Sequence, residues 1–271
     1  MKTGRRNFMG TVGLGLLGAS TGAAGLAAGG QAARGQAAGG GRGSSLPVRK
    51  VKTTTLFKSP EGYPNALAVA PEGLWIAEQK SDNACLVDWH GKLLKTVKTE
   101  SKNTSGMGVG DGYIWMGANA APNGIFQTDM NGKTIAHRQI PLGGGGCHGV
   151  QYLDGKLWIA ALRLRGILRV DAKTWQPEFL IPYNVQRAHE AVMAPDGMWL
   201  VTGDDQGAGL IKYHPETGQP LEIARFAETD CDPHGLVWHE GALYSCDAGI
   251  HPGWAENKSP THGYIFRIDL I

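Results

Sequence analysis

The chain alternates short apolar runs with acid–glycine and asparagine–glycine turns. The segment 147–160 is one such unit, in which two strand-forming runs flank the turn Asp154-Gly155. An Asp-Gly pair between two such runs is a strong signal for a β-hairpin. Helical periodicity is absent along the chain. We therefore predict an all-β fold.

The hairpin unit occurs five times, and each copy carries an aromatic residue in its second strand. These anchors are spaced by 40, 43, 41 and 45 residues; they are Trp75, Trp115, Trp158, Trp199 and Tyr244. Repeats of roughly 40–45 residues with four short strands each are typical of a β-propeller. In the third repeat we predict strands at Gly149–Leu153, Lys156–Leu162, Gly166–Asp171 and Glu178–Tyr183. The four tryptophans are expected to pack between adjacent blades.

The last repeat determines the predicted number of blades. It supplies three strands before the sequence stops at Ile271, whereas a spare strand, Val48–Phe57, precedes the first repeat. That strand can complete the last blade as its outer strand, which would remove an open sheet edge. We therefore predict five four-stranded antiparallel blades. The alternative, six blades, would require the N-terminal segment to provide more than one strand.

Residues 1–45 differ from the rest of the chain because they contain no acidic residue and are rich in Gly and Ala. Thr3–Met9 matches the core of a twin-arginine export signal, and an apolar run to about Leu17 follows. A membrane anchor is the alternative, but this run is shorter than the roughly 20 residues that a span requires. We predict a leader and linker over 1–45, a propeller domain over 46–271, and a periplasmic or secreted protein.

Charge and cysteine content exclude several classes of protein. Loss of the five basic residues of the leader changes the net charge from +2 to −3. The remaining chain has no basic run, which argues against nucleic-acid binding. No two of the four cysteines have the spacing of a redox motif or zinc knuckle. One disulfide is compatible with an oxidising compartment, and Cys231 with Cys246 is the preferred pair.

Five polar residues are predicted to meet at one mouth of the central channel. Each is the first residue of the innermost strand of its repeat; they are Asn65, Ser105, His148, His189 and His234. The loops after the second strands reach the same face with Glu78, Gln79, Asn119, Arg163, Arg165, Asp204, Asp205 and Asp247. An insertion in the last repeat, Ala248–Gly263, adds His251 and Trp254 there, and inserted loops often carry function.

Three imidazoles on a ring around one axis predict a divalent metal held by His148, His189 and His234. Nitrogen ligands favour zinc, copper or iron, whereas loop carboxylates would favour calcium or magnesium. We assign catalytic roles to His189, Glu190, His234 and Arg163, because a histidine can act as a general base and an arginine can pair with an anionic group. The alternative is that the histidines are structural caps retained through duplication. Glu190 argues against this, since it replaces the glycine that follows His148 and His234.

The remaining residues of the mouth are predicted to contact the substrate. They are Asn65, Ser105, Glu78, Asn119, Asp247, His251 and Trp254. A plain surface loop is the alternative for the insertion, and a surface salt bridge is the alternative for Arg163 and Arg165. The predicted partner is a small molecule, and no stable membrane span is expected after the leader is removed.

The repeats HGVQYLDGKLWIA, AVMAPDGMWLV and HGLVWHEGALYSC resemble those of the virginiamycin B lyase and gluconolactonase (senescence marker protein) propellers. The resemblance covers about Asn65 to Asp269 and implies a metal-dependent enzyme that opens or hydrolyses cyclic esters at the channel mouth. The sequence departs from both families, which have six or seven blades. The gluconolactonase calcium site uses mainly Glu, Asn and Asp, and the lyase pairs a His with a nearby Glu.

Two functions are therefore expected. The first is a metal-dependent lyase or hydrolase acting on a small molecule that is lactone-like or glycoside-like. The alternative is a non-catalytic propeller that presents this face to a protein or polysaccharide. The binding alternative predicts no metal and an open apolar mouth, and imidazoles that point apart would favour it. A redox enzyme is disfavoured because the sequence has no haem-attachment motif.

Overall fold

The computed structural model describes residues 46–204, 207–227, 229–249 and 261–271. Within these ranges the chain forms twenty β-strands and one short 3-10 turn, Pro141–Gly143, and it contains no α-helix. No helix of the described part has the length and apolar character needed to cross a membrane. The predicted export signal, Asp205, His251 and Trp254 lie outside the described residues.

Three antiparallel sheets of four strands follow one another along the chain. The first contains β2 (Pro64–Ala70), β3 (Gly73–Glu78), β4 (Asn83–Val87) and β5 (Leu93–Lys98). The second contains β6 (Thr104–Gly110), β7 (Tyr113–Ala118), β8 (Gly124–Asp129) and β9 (Thr134–Arg138). The third contains β10 (Cys147–Leu153), β11 (Lys156–Ala161), β12 (Gly166–Asp171) and β13 (Pro177–Pro182). The four strands predicted for the third repeat are therefore confirmed to within two residues.

The fourth sheet has eight strands in a non-sequential order. That order is β14 (Arg187–Ala194), β15 (Gly197–Asp204), β16 (Gly207–Tyr213), β17 (Pro220–Arg225), β1 (Val48–Lys58), β20 (Tyr264–Leu270), β19 (Ala242–Cys246) and β18 (Leu236–His239). Strand β1 pairs antiparallel with β20 over most of its length, as predicted for the spare strand. It pairs in parallel with β17 over only three residues, Val48 to Lys50. Four-stranded antiparallel sheets of this kind are typical of a β-propeller.

The first strands of the sheets lie side by side. Strand β2 contacts β6, β6 contacts β10, β10 contacts β14, β14 contacts β18, and β18 contacts β2 again. The backbones approach closely at glycine: a Cβ on Gly106 would lie 2.5 Å from the Gly149 carbonyl carbon and the Val150 nitrogen. Glycine at this position therefore permits the backbone contact between neighbouring inner strands.

The core lies between the sheets, where the four tryptophans pack. Trp75, Trp115, Trp158 and Trp199 are 1%, 2%, 5% and 0% exposed, and each belongs to a different hydrophobic cluster. Loss of one buried tryptophan side chain typically costs about 3–5 kcal/mol. Their predicted structural role is confirmed.

The prediction of a disulfide between Cys231 and Cys246 is wrong. All four cysteines are buried free thiols. Cys231 Sγ accepts a hydrogen bond from Thr261 Oγ1 at 2.9 Å, whereas Cys246 Sγ accepts one from the Gly235 amide at 3.3 Å. The two sulfurs therefore have different partners, although both residues lie near the same end of the last repeat.

Candidate functional site

A recurrent β-bulge positions the predicted ring residues. In the first three sheets the pairing of the inner strand with its neighbour shifts at Asn65, Ser105 and His148. In β14 the shift falls between Ala188 and Ala191, so it contains His189 and Glu190. A bulge leaves one residue outside the ladder and redirects its side chain, and bulges are common beside active sites. The same local irregularity thus places equivalent residues of four repeats.

The three histidines of the ring are in direct contact. His148 stacks on His189 with ring centroids 4.9 Å apart and an interplanar angle of 19°. His189 meets His234 edge to face, with centroids 4.8 Å apart. His189 and His234 are buried, at 5% and 3% exposure, whereas His148 is partly exposed. The sequence-predicted imidazoles therefore form one continuous cluster, which a ligand would reach from the side of His148.

Both ring nitrogens of His148 are engaged. Its Nδ1 lies 2.9 Å from the Ala188 carbonyl oxygen, which can only accept, so Nδ1 carries the proton. Its Nε2 therefore accepts from the Asn119 side-chain amide at 3.0 Å. Burial lowers the pKa of His148; the bond to Ala188 opposes this, and Arg187 lowers it further. The geometry thus favours a neutral imidazole.

Arg187 is a member of the site that the sequence analysis missed. It begins β14, and its Nη1 donates to Asp232 Oδ1 at 2.7 Å. Its Nη2 donates to the Pro233 carbonyl oxygen at 3.0 Å and lies 3.0 Å from His234 Nε2. The same Nη2 is 3.3 Å from His234 Nδ1, but Nδ1 also faces the Asp232 carbonyl oxygen at 3.3 Å. Since a carbonyl can only accept and a guanidinium can only donate, Nδ1 carries the proton and Nε2 is the acceptor for Arg187. A comparison of the repeats two positions before each ring residue would have identified both Arg187 and Asp232.

Asn65 and Ser105 complete the ring on the side away from the histidines. Asn65 Nδ2 donates to Ser105 Oγ and to the Thr104 carbonyl oxygen, each at 2.9 Å. Ser105 Oγ donates to the Asn103 carbonyl oxygen at 3.2 Å. Both side chains are 2% exposed, so they link the first two inner strands and have little surface available to a ligand.

Glu190 places a carboxyl group between the inner strands. It is 1% exposed, and neither carboxyl oxygen makes a hydrogen bond of normal geometry. Burial raises the pKa of Glu190 well above its ordinary value, although the amides of Val150, Ala191 and Met107 face the carboxyl and oppose this. The favoured state is therefore the neutral acid, because an isolated carboxylate is costly to bury.

The carboxylates of Glu78 and Asp247 accept hydrogen bonds from backbone amides. Glu78 accepts from the amides of Glu61 at 3.1 Å and Tyr63 at 2.8 Å. Asp247 accepts from the amides of Asp232 at 3.1 Å and Gly249 at 3.1 Å. Both carboxylates are 0% exposed. The structure therefore places these two predicted substrate contacts beneath the loops that lead into the inner strands, where they stabilise loop backbone.

The arginines of the third repeat lie outside the imidazole cluster. Arg163 is exposed, and its side chain packs over Gly145, where an added Cβ would lie 2.9 Å from it. Arg165 is also exposed and donates to the Val185 carbonyl oxygen at 3.2 Å. Arg163 is thus at the rim, and the arginine in contact with a ring histidine is Arg187.

The predicted metal site does not fit the donor atoms as they are arranged. In the described ranges no group of three His, Cys, Asp or Glu residues is placed to hold a metal ion. His148 has no uncommitted lone pair, and His234 Nε2 lies 3.0 Å from a guanidinium nitrogen. A cation bound there would meet a repulsion of about 4 kcal/mol per unit charge at about 4 Å. We therefore derive no catalytic step through a metal.

Comparisons with known proteins support the fold. No family model and no curated protein sequence matches the chain. The glutaminyl cyclase of Myxococcus xanthus is similar in structure, with a TM-score of 0.63 over 83% of this chain and 98% of that one, at 9% identity. A streptogramin B lyase gives a TM-score of 0.51 over 82% and 98%, at 12% identity. A chain of a nidogen–laminin complex gives 0.52 over 69% and 73%, at 12% identity.

These neighbours confirm the predicted resemblance to lyase propellers at the level of the fold. Two are named as enzymes and the third as a complex between proteins. Because all are far below 25% identical, they do not assign an activity to this chain.

Proposed function

We propose that this protein is an exported β-propeller enzyme, a lyase or hydrolase that acts on a small molecule at the imidazole end of its channel. The observation that carries the proposal is the contact of His148, His189 and His234, which come from neighbouring inner strands. Asn65 and Ser105, at the equivalent positions of the other two inner strands, link neighbouring strands by hydrogen bonds without an imidazole, so closing the ring does not require three imidazoles in contact. Imidazoles that point apart would have favoured the binding alternative, so their contact favours catalysis.

In this proposal His189 transfers the proton. It lies between the other two imidazoles of the cluster, in contact with both rings. His189 would remove a proton from carbon in an elimination or from water in a hydrolysis. Glu190, next in sequence and favoured as the neutral acid, would supply a proton to the same end of the channel.

We further propose five blades. The eight-stranded sheet supports this, since it consists of β14–β17 and of β18–β20 with β1, and the only strand pairing that joins the two halves is the three-residue pairing of β1 with β17. The contacts between neighbouring inner strands also form a closed ring of five strands, which supports the same number of blades. Dependence on a divalent metal stays a prediction from the sequence, which elemental analysis of protein purified without chelators tests.

The activity is tested by a screen of cyclic esters, lactones and glycosides with the purified protein. His189→Gln is expected to abolish turnover, whereas His90→Gln, at an exposed turn, should leave it unchanged. The proposal fails if the folded wild-type protein converts no member of the panel, or if His189→Gln is fully active.

Export is tested separately by cell fractionation. Replacement of Arg5 and Arg6 by lysine in the full chain should retain the protein in the cytoplasm. Export of this variant at the wild-type level would refute the twin-arginine route.

A further inference from the structure

The channel mouth already contains a fixed positive charge. The Arg187 side chain is only 10% exposed, and its guanidinium bonds Asp232, the Pro233 carbonyl oxygen and His234. These partners hold the planar group from three directions. Such bonding orients a guanidinium far more strictly than a single surface ion pair would.

This arrangement competes directly with metal binding. A metal ligand must offer a nitrogen lone pair, but His234 Nε2 faces Arg187 Nη2 at 3.0 Å. His148 is committed to Ala188 and Asn119, so it cannot replace His234 as a ligand without losing one of these bonds. The guanidinium thus occupies the side of His234 from which a shared cation would bind.

Arg187 retains donors for a ligand. A guanidinium has five N–H groups, and the bonds to Asp232, Pro233 and His234 use three. The Nε–H group and one Nη1–H group bind no other residue within the described part of the chain. Two N–H groups of a guanidinium suit an anionic oxygen better than a neutral one.

We propose that the guanidinium of Arg187 takes the place of a divalent metal in this site and binds an anionic oxygen of the ligand, such as a carboxylate oxygen. The idea that this oxygen belongs to a substrate that the protein converts rests on the proposed function. The idea that Arg187 stands in place of a metal ion does not. Arg187 would position the ligand beside His189 and keep His234 as a neutral acceptor.

A metal titration tests the replacement. Chelator-treated wild type, Arg187→Met and Arg187→Met/His189→Gln are titrated with Co²⁺, whose visible absorption reports imidazole ligation. We expect no such absorption for the wild type, one bound equivalent for Arg187→Met, and its loss in the double variant. The replacement is refuted if wild type binds one equivalent that His189→Gln removes, or if neither wild type nor Arg187→Met binds Co²⁺.

An anion titration tests the ligand class. Acetate and its neutral analogue acetamide are added while NMR follows the imidazole resonances. Acetate should bind the wild type, and Arg187→Met should weaken it by about tenfold or more. Arg187→Lys should give an intermediate loss, and Arg267→Gln, an exposed arginine on β20, should give none.

Equal binding of acetate and acetamide, or unchanged acetate binding in Arg187→Met, would overturn the anion site. Circular dichroism confirms that each variant is folded. If the substrate screen fails while both titrations give the expected result, the proposed function is wrong and the inference about Arg187 stands.

Discussion

Gly149 has no side chain, and Glu190 of the neighbouring sheet occupies the space where one would lie. A Cβ on Gly149 would lie 2.6 Å from Glu190 Oε1 and 2.8 Å from Glu190 Cα. At the position after the ring residue the other inner strands carry Ala66, Gly106 and Gly235, so a long side chain occurs only once. The channel therefore accommodates one carboxyl group because the adjacent residue is glycine.

Gly149→Ala should destabilise the protein by about 1–3 kcal/mol, because the added methyl group overlaps backbone and carboxyl atoms that cannot move easily. Urea denaturation measures this loss. The same substitution in a Glu190→Gly background should cost less, since the contact with the carboxyl is removed. Equal costs in both backgrounds would show that Glu190 does not occupy this space.

Glu190→Gln should become more stable relative to the wild type as the pH rises. The raised pKa means that the folded protein holds a proton that the unfolded chain releases near the ordinary value. The stability that Glu190 contributes to the wild type is therefore present at low pH. It is lost as the pH rises above the pKa of the unfolded chain, by roughly 1.4 kcal/mol for each pH unit up to the folded-state pKa. Glutamine does not titrate, so the difference between the two proteins should grow between pH 5 and pH 8.

Urea denaturation at several pH values measures that difference. Glu222→Gln provides a carboxyl control on the outer strand β17, which β15 and β16 separate from the inner strand β14. A difference between Glu190→Gln and wild type that does not change with pH would contradict a buried neutral acid.

His148 should titrate below the ordinary histidine value, because burial, aided by Arg187, lowers its pKa. Because the pKa is lower in the folded protein, the unfolded chain binds this proton at a higher pH than the folded protein does. The contribution of His148 to stability is thus present above about pH 6.5 and is lost as the pH falls through the lowered pKa. NMR of the imidazole resonances gives the midpoint directly.

Arg187→Met should raise the His148 midpoint, since the nearby positive charge is removed. His137, which is exposed on β9, serves as the internal reference in the same spectra. A His148 midpoint that is the same in both proteins would show that the guanidinium does not act on this imidazole.

Glu78→Ala should cost about 1–3 kcal/mol of stability, because it removes a charged acceptor that bonds the partly buried amides of Glu61 and Tyr63. Thermal unfolding measures this loss. Ligand binding at the imidazoles, scored by the acetate titration, should stay within about twofold of wild type. A large loss of acetate affinity without a loss of stability would instead support the predicted substrate contact.

The repeat and its core were predictable from the sequence because they depend on local pattern. The aromatic anchors recur at a nearly constant spacing, and Trp75 and its equivalents are buried as expected. The meeting of His148, His189 and His234 followed from the same register, since equivalent residues of a repeat occupy equivalent positions around an axis.

Hydrogen-bond partners were less predictable because they depend on the paths of loops. Glu78 and Asp247 were assigned to a ligand, but the loops before β2 and β18 bring backbone amides to them. Arg187 was overlooked because the comparison of repeats began at the ring residue and not two positions earlier. The cysteine pairing was wrong because nearness in a repeat does not determine which way a sulfur points.

The pairing of β1 with β20 has a consequence for how the protein reaches its native state. These strands are among the most distant in sequence, yet they are neighbours in one sheet. Such a contact raises the mean sequence separation of native pairs, and proteins with that topology fold slowly. Closure must also wait until the ribosome has completed β20. Removal of β1 should therefore leave a folding intermediate with the β20 edge exposed, which limited proteolysis during refolding would detect.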